Sequence, residues 1–514
     1  MPNDLLERPA GPQIGTRRSW QTPSLSGLLG GVLQRGRFAQ HVLTLMSGTV
    51  LGQGLLVIAT PALTRIFDPV AFGLLAIFVA VIAIPSCIPA LRYDLAIMLP
   101  DTDEEAANVM ALSMLVVLFN VGISSVVVLL FGRAAARELK APQLAVWLWA
   151  VPWAVLCAGA SQVLNNWWVR HRCFHRLAMA TVSQSVGTVG SQVGFGLIGL
   201  GGPAGLIIGW LIGQATASSI LAQGLVRGQL RFIARNIHWR NIGRALRSYR
   251  RFPLYAAPYI LITTTEVQVT AALVGHFADL RTVGLFSLAR RISYLPINLV
   301  IAAMNQVFFQ KLAREQKSGR LEDFVLRILS LQVYFGLPAV IFCSFEATPL
   351  FRFGFGPAWS GAGQYASLWV ISSFILFATG WLDRIFDVTG YQRTALTWAL
   401  GKGVIAIGAM TVTLWLWKDA LLSTAVYVTL DCAGLIVYLL LAFHASRFSL
   451  QRLVGLATST MKSTVLIACT FWAVNKIFTG MAAVGFAFVV LAVIYTVLIS
   501  RSVGWNRLSF APSE

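Results

Sequence analysis

Apolar runs of about 20 residues recur along this chain from His41 to Ser500 and are separated by short polar segments. A helix of that length crosses the ~30 Å hydrocarbon core of a bilayer. Charged residues make up only 12% of the sequence, whereas a soluble domain carries about 25%. The sequence therefore predicts an all-α, polytopic membrane protein, and the lipid bilayer is its first partner.

The predicted transmembrane helices number about fourteen. Their bounds are 41–62, 72–93, 109–132, 143–164, 177–198, 203–226, 253–277, 282–310, 323–345, 362–383, 394–416, 420–443, 462–478 and 482–500.

Lysine and arginine are distributed unevenly between alternate loops. With the N-terminus in the cytoplasm, 28 of them lie inside and 8 outside. Cytoplasmic loops of membrane proteins carry this excess, so we predict that both termini are cytoplasmic. The net charge of +20 is then a topology signal, and we do not expect a nucleic-acid partner.

Neither a metal site nor a bound cofactor is predicted. The six cysteines are scattered, and no spacing fits a zinc site or a set of disulfides. The acidic group at residues 101–105 precedes a helix, where carboxylates complement the helix dipole.

An internal repeat relates the two halves of the chain. Gly73 and Gly284 are 211 positions apart, and so are Pro85 and Pro296. Because six spans separate the copies, both copies have the same orientation. We therefore predict two six-helix lobes related by a parallel repeat, an architecture of transporters whose site lies between the lobes.

The predicted domains follow from that repeat. Residues 1–40 form a disordered cytoplasmic tail, and residues 444–514 hold two accessory helices and a short tail. The first lobe spans 41–226 and the second 253–443. Residues 227–252 form a basic linker between them, either an amphipathic helix on an anionic membrane surface or a solvated topology signal.

Charged residues inside the spans are the candidate site. Arg290 and Arg291 lie ~12–14 Å inside one end of their helix at 1.5 Å per residue, and adjacent residues point about 100° apart. We expect at least one arginine to face the central cavity and bind an anionic group. The alternative pairs one of them with Glu266, which otherwise accepts a proton in ion coupling.

Two further pairs of charged residues are weaker candidates. Lys402 and Asp431 lie in successive spans and either pair with each other or line the cavity. Arg92 and Asp94 end the second span, as a cytoplasmic gate pair or as simple interface anchors.

Several ordered motifs resemble the polysaccharide flippases of the multidrug/oligosaccharidyl-lipid/polysaccharide exporter superfamily, over nearly the whole chain. They are TRIFDPVAFG at 64–73, LRYDLAI at 91–97, DEEA at 103–106, GLFSLARR at 284–291, NQVFF at 305–309 and FGPAW at 355–359.

This resemblance implies a transporter of the bacterial inner membrane that works by alternating access, coupled to a cation (H⁺ or Na⁺). The implied substrate is an oligosaccharide repeat unit on an undecaprenyl-diphosphate type of lipid, delivered outward for O-antigen, exopolysaccharide or capsule synthesis. A polysaccharide polymerase or other export machinery is the implied protein partner. The chain departs from a uniformly cationic cavity, because the first lobe has few bases within its spans.

Three rival functions remain open at this point. A multidrug or small-metabolite cation antiporter of the same fold would favour an acidic cavity, which the arginine pair opposes. A membrane polysaccharide polymerase or ligase would need a large outer loop with candidate catalytic residues, but the predicted outer loops are short. We therefore expect no enzyme activity. The third rival is a scaffold of the export machinery that has the fold but does not transport.

Overall fold

A computed structural model describes residues 47–317, 321–382, 385–386, 392–478 and 480–509. Within these ranges all regular secondary structure is helical, so the predicted all-α class is confirmed. The tail predicted at residues 1–40 lies outside the described residues.

The first half of the chain contains six long helices, followed by two short ones. The long helices are α1 Ser47–Ile66, α2 Pro69–Cys87, α3 Asp103–Glu138, α4 Leu144–Arg170, α5 Phe174–Leu197 and α6 Pro203–Gly228. A 3₁₀ turn, Tyr93–Met98, follows α2, and the short helices are α7 Leu230–Asn236 and α8 Trp239–Ser248.

Eight long helices make up the second half. They are α9 Ala257–Phe277, α10 Leu280–Lys317, α11 Leu321–Phe355, α12 Ser360–Thr379, α13 Gln392–Trp417, α14 Ala420–Ala445, α15 Leu450–Ile477 and α16 Met481–Ser509. A π-helical turn, Phe252–Ala256, leads into α9.

Among the described helices, eleven are long and apolar enough to cross a membrane. Each of the fourteen predicted spans overlaps a long helix, and all of these helices except α5, α10 and α16 are among the eleven. Helix α5 is rich in Ser, Thr, Gln and Gly. In α16 the segment Met481–Thr496 is apolar. The predicted number of fourteen crossings is therefore not confirmed.

The basic linker folds against the first half of the chain. Asn108 of α3 donates to the carbonyl of Asn236 at 2.9 Å and accepts from the backbone N–H of His238 at 2.8 Å. Ile242 and Ala245 bury the apolar side of α8, while the arginines of α7 and α8 are exposed. The linker is thus helical and amphipathic, with its apolar face packed on the protein. That it lies on an anionic membrane surface stays a prediction.

Helices α2 and α10 begin in the same way. The Asp68 carboxylate accepts the N–H of Ala71 at 2.8 Å, and the Asp279 carboxylate accepts that of Thr282 at 3.0 Å. Both the caps and the capped residues are 211 positions apart. Such a cap stabilises a helix start by about 0.5–2 kcal/mol.

These two helices cross in contact at the repeated glycines. A Cβ atom built on Gly73 would overlap the carbonyl oxygen of Leu280, and one on Gly284 would overlap that of Pro69. Each Cβ would also lie 3.1 Å from the backbone nitrogen of the opposite glycine. Since Pro69 and Leu280 are again 211 apart, the contact is reciprocal, and the repeat-related residues exchange places across a local two-fold axis.

A tryptophan from the second half reinforces this end of the crossing. The indole N–H of Trp359 donates to the carbonyl of Thr64 at 2.9 Å, and its ring meets Phe72 edge-on at 5.0 Å. Trp359 is 1% exposed, so α1, α2 and the start of α12 are held together. The charge distribution predicts that this is the extracytoplasmic end. The lobe boundaries and the orientation themselves stay predictions.

The last two helices pack on α11. The Tyr495 hydroxyl donates to the carbonyl of Phe335 at 2.6 Å, and the Asn475 amide donates to Glu346 at 2.7 Å. Phe342 and Phe471 pack with ring centroids 5.9 Å apart. These contacts attach α15 and α16 to the second half of the chain.

Replacing Gly73 or Gly284 by alanine is expected to separate α2 from α10 and to destabilise the protein by about 1–3 kcal/mol, the usual cost of overpacking. Thermal unfolding of the purified protein in detergent measures this. The matched control is Gly122→Ala in α3, where a Cβ meets no atom within 4 Å and where better helix propensity should stabilise by about 0.5–1 kcal/mol. Equal melting temperatures for Gly73→Ala and Gly122→Ala would contradict the crossing.

Candidate functional site

Arg290 is packed within the second half of the chain. Its Nη1 donates to the carbonyl of Val267 at 2.6 Å and to the hydroxyl of Thr270 at 2.8 Å, both on α9. Its guanidinium carbon lies 5.3 Å from the ring centroid of Trp369 on α12. Arg290 therefore joins α9, α10 and α12.

Arg291 lies on a different face of α10. It follows Gly284 by seven residues, about two helical turns, so it shares the face that crosses α2. Its side chain is exposed. Within the described chain, no carboxylate lies within 4 Å of Arg291 to form an ion pair. Its charge is left for a ligand or for water.

Glu266 pairs with Lys402 and not with either arginine. The Lys402 ammonium is 3.3 Å from Glu266 and also contacts the Asp431 carboxylate. The pair predicted between Glu266 and Arg290 or Arg291 is not formed, because α9 presents Glu266 to α13. Of the two alternatives for Lys402 and Asp431, the structure shows the mutual pair.

A hydrogen-bonded chain extends this charge cluster, defined as Glu266, Lys402 and Asp431. The Ser372 hydroxyl donates to Asp431 at 2.6 Å, and Tyr294 of α10 is hydrogen-bonded to Ser372 at 2.7 Å. The three charged side chains are only 10–19% exposed. The cluster thus links four helices besides α10, namely α9, α12, α13 and α14.

Two glycines make room for the cluster. A Cβ on Gly403 would lie 2.7 Å from the Glu266 carboxyl carbon, and one on Gly434 would overlap the stem of Lys402. Small residues let helices approach closely in a membrane. Here the space that they leave is filled by charged side chains.

Arg92 and Asp94 are close in sequence but do not form an ion pair within 4 Å in the described chain. Arg92 adopts a left-handed backbone conformation with φ 65°, and Asp94 is 0% exposed. Asp94 accepts a hydrogen bond from the Asn166 amide at 2.9 Å, while its other oxygen has no partner. The turn buries Asp94 against α4, so these described residues show no direct Arg92–Asp94 ion pair, and the gate and the interface anchor both stay predictions.

A cavity of about 450 Å³ adjoins Asp94. It lies between α4, α5 and α6, and most of its polar groups are uncharged. The polar lining consists of Asp94, Ser161, Gln162, Asn165, Asn166, Thr181, Gln184 and Gln214. The charged residues of the sequence do not point to this cavity, because most of its polar lining is uncharged. The available signal was the group Ser161, Gln162, Asn165 and Asn166, at the end of the predicted span 143–164.

Removing Lys402 is expected to destabilise the protein, because Lys402→Met leaves two buried carboxylates without their cation. Breaking a buried pair in this way costs about 3–5 kcal/mol. Adding Glu266→Gln and Asp431→Asn should recover most of the loss in a thermal unfolding assay. The control is Lys418→Met, at an exposed lysine after α13. Unchanged stability of Lys402→Met would show that the cluster does not hold these helices.

Asp94 is expected to make stability depend on pH. Burial raises the pKa of its carboxyl, against the opposing effects of the Arg92 charge and the Asn166 hydrogen bond. The folded state then binds the proton more tightly than the unfolded state does. The stability that this carboxyl contributes is therefore fully present below its ordinary pKa of ~3.9. It is lost as pH rises through the raised value.

Comparing wild type with Asp94→Asn between pH 4 and pH 8 isolates this contribution. The difference in melting temperature should shift in favour of the wild type as the pH falls. A difference in melting temperature that stays constant with pH would contradict the raised pKa of Asp94.

Comparisons with known proteins agree with this architecture. The family model described as "Polysaccharide biosynthesis protein" matches residues 62–364. The amylovoran biosynthesis protein AmsL of Erwinia amylovora is 20% identical over 207 residues, or 40% of this chain. The match covers 51% of that relative's own length.

Two solved transporters have the same fold. The lipid II flippase MurJ, in an inward closed conformation, aligns with a TM-score of 0.65 and 13% identity over 91% of this chain and 99% of its own. An inward-facing multidrug resistance transporter of the MATE family and the MOP superfamily aligns with a TM-score of 0.60 and 16% identity, over 78% of this chain and 95% of its own.

The family model covers more than half of the chain, including the α2–α10 crossing and the arginine pair. The chain therefore belongs to the polysaccharide biosynthesis protein family, with the fold of the multidrug/oligosaccharidyl-lipid/polysaccharide exporters.

Proposed function

We propose that this protein is a transporter that moves an isoprenoid-diphosphate-linked oligosaccharide from the cytoplasmic to the outer leaflet of the bacterial inner membrane. The cargo is a repeat unit for O-antigen, exopolysaccharide or capsule, and transport follows alternating access. A polysaccharide polymerase or other export machinery is the proposed downstream partner. In this proposal both termini are cytoplasmic and the protein is not an enzyme.

The observation that carries this proposal is the placement of Arg291. Arg290 is occupied by α9 and Trp369, and Lys402 by two carboxylates. Among the described residues Arg291 has no such partner, and it lies on the face of α10 that crosses α2 beside Gly284. An unpaired guanidinium between two halves of a transporter suits a diphosphate, which it can bind with two parallel hydrogen bonds.

The charge balance of the cluster opposes the cation-antiporter alternative. A cavity for cationic drugs needs free carboxylates, but Glu266 and Asp431 share Lys402. Membership of a polysaccharide biosynthesis family points the same way.

We also propose the charge cluster as the place where a coupling cation acts. Two partly buried carboxylates face one ammonium. When the helices move, a proton or Na⁺ would take the place of the Lys402 ammonium. The two carboxylates would then still have a positive charge beside them. A buried ionisable residue in a membrane protein is a functional candidate on energetic grounds.

Removing the protein from its host is expected to trap the substrate. Lipid mass spectrometry should find an isoprenoid-diphosphate oligosaccharide accumulating on the cytoplasmic face, and restoring the gene should clear it. Completed units that reach the outer face but stay unpolymerised would instead indicate a polymerase. If no lipid-linked sugar changed, the flippase proposal would fail and efflux of drugs or metabolites would be tested next.

Arg291→Ala is expected to reduce export about tenfold or more, since a hydrogen bond to a charged group contributes ~1.5–3 kcal/mol and 1.4 kcal/mol is tenfold in binding. Arg291→Lys should retain part of the export. The matched control is Arg352→Ala, at an exposed arginine in the last turn of α11. The readout is polysaccharide export normalised to protein in the membrane, and wild-type export by Arg291→Ala would remove Arg291 from the site.

A further inference from the structure

The cavity between α4, α5 and α6, called here the amide cavity, has a distinctive chemical lining. Five of its polar groups are side-chain amides, those of Gln162, Asn165, Asn166, Gln184 and Gln214. Asp94 is its single acid, and no lysine, arginine or histidine lines it. Its volume of about 450 Å³ lies within the ~300–1,000 Å³ of small-molecule sites.

Several of these groups have unused hydrogen-bonding capacity. In the described part of the chain, the side chains of Gln162 and Asn165 form no hydrogen bond. The Gln184 amide donates to the Gln214 oxygen at 3.1 Å. Among the described residues, the side-chain oxygen of Gln184 and the NH₂ group of Gln214 then have no partner. One oxygen of the buried Asp94 is also unpartnered. Polar groups inside a protein normally find partners, so this lining is suited to a polar ligand or to water.

The type of these groups identifies the ligand chemistry. Each amide supplies two donors and an acceptor, and a sugar hydroxyl likewise both donates and accepts. An array of amides around one carboxylate therefore matches a polyhydroxylated, uncharged ring. A diphosphate needs cationic partners, and the amide cavity has none along its lining.

The position of the cavity fits loading from one side. Asn165 and Asn166 lie in the last turns of α4, and Leu177 lies in the first turn of α5. Gln184 is ten residues into α5, ~15 Å along the helix at 1.5 Å per residue. The cavity thus reaches from the helix ends predicted to be cytoplasmic toward the middle of the membrane.

We infer that the amide cavity binds uncharged sugar residues of the transported lipid-linked oligosaccharide, while Arg291 of α10 binds its diphosphate. The inference rests on the proposed function and adds to it a division of the substrate between two sites. The first half of the chain holds the sugar, and the second half holds the charged linkage. One substrate then contacts both sides of the α2–α10 crossing.

The test measures binding of the two parts of the substrate separately to the purified full chain. One probe is the free oligosaccharide released by mild acid from the host's own surface polysaccharide, without lipid or diphosphate. The other is inorganic diphosphate. Saturation-transfer NMR in a detergent without a sugar headgroup reports the first, and isothermal titration reports the second.

Gln162→Leu removes an amide that has no protein partner, so the fold should be retained. It is expected to weaken oligosaccharide binding at least tenfold and to leave diphosphate binding unchanged. Gln214→Leu should act in the same direction. The matched control is Gln223→Leu on the same helix, α6, where the side chain is exposed and outside the cavity. Arg291→Ala should show the opposite pattern, with diphosphate binding lost and oligosaccharide binding retained.

Two results would overturn the sugar site and leave the proposed transport standing. One is oligosaccharide binding that is equal in wild type and Gln162→Leu. The other is diphosphate binding that depends on Arg291 with no oligosaccharide binding at all. Failure of both probes to bind wild type would overturn the sugar site and the diphosphate site together.

Discussion

The close approach of α2 and α10 at Gly73 and Gly284 is the contact on which the rest of the arrangement depends. Each glycine lies against the backbone carbonyl that precedes the other by four residues, so neither position has room for a side chain. The contact is reciprocal because the two helices are copies of one another. It sets the separation of the two halves at one end, and it fixes which faces of α2 and α10 look at each other further along.

The charged residues then divide according to those faces. Arg290 is turned into the second half and held by α9, and Lys402 is held by Glu266 and Asp431. Arg291, on the face of Gly284, has no ion-pair partner among the residues that the structure describes. On α2 the residue equivalent to Arg291 is Ala80, which is 3% exposed. The positive charge at this repeated position is therefore present in one half only. In our proposal the other half contributes the uncharged amides of the cavity near Asp94.

The sequence was sufficient for the helical class and for the repeat, because both depend on patterns along the chain. The 211-residue offset relates the two glycines that are in contact, Gly73 and Gly284. It also relates the two aspartates that cap these helices, Asp68 and Asp279. It was not sufficient for partners between distant helices. Glu266 and Lys402 pair across 136 positions, and only the packing of α9 on α13 decides that Glu266 meets a lysine and not an arginine. The amide cavity was missed for a related reason, since its amides lie on three helices and only those of α4 are grouped in the sequence.

Transport of a lipid-linked sugar across a bilayer is the central claim, and reconstitution tests it most directly. Purified protein would be placed in liposomes with the lipid-linked oligosaccharide isolated from a host that lacks it. A membrane-impermeant oxidant then reports how much sugar faces outward. We predict that the fraction of sugar open to oxidation rises with time beyond the outer-leaflet share, and that Arg291→Ala slows this rise. A fraction that stays at the outer-leaflet share, equal to that of protein-free liposomes, would contradict the account.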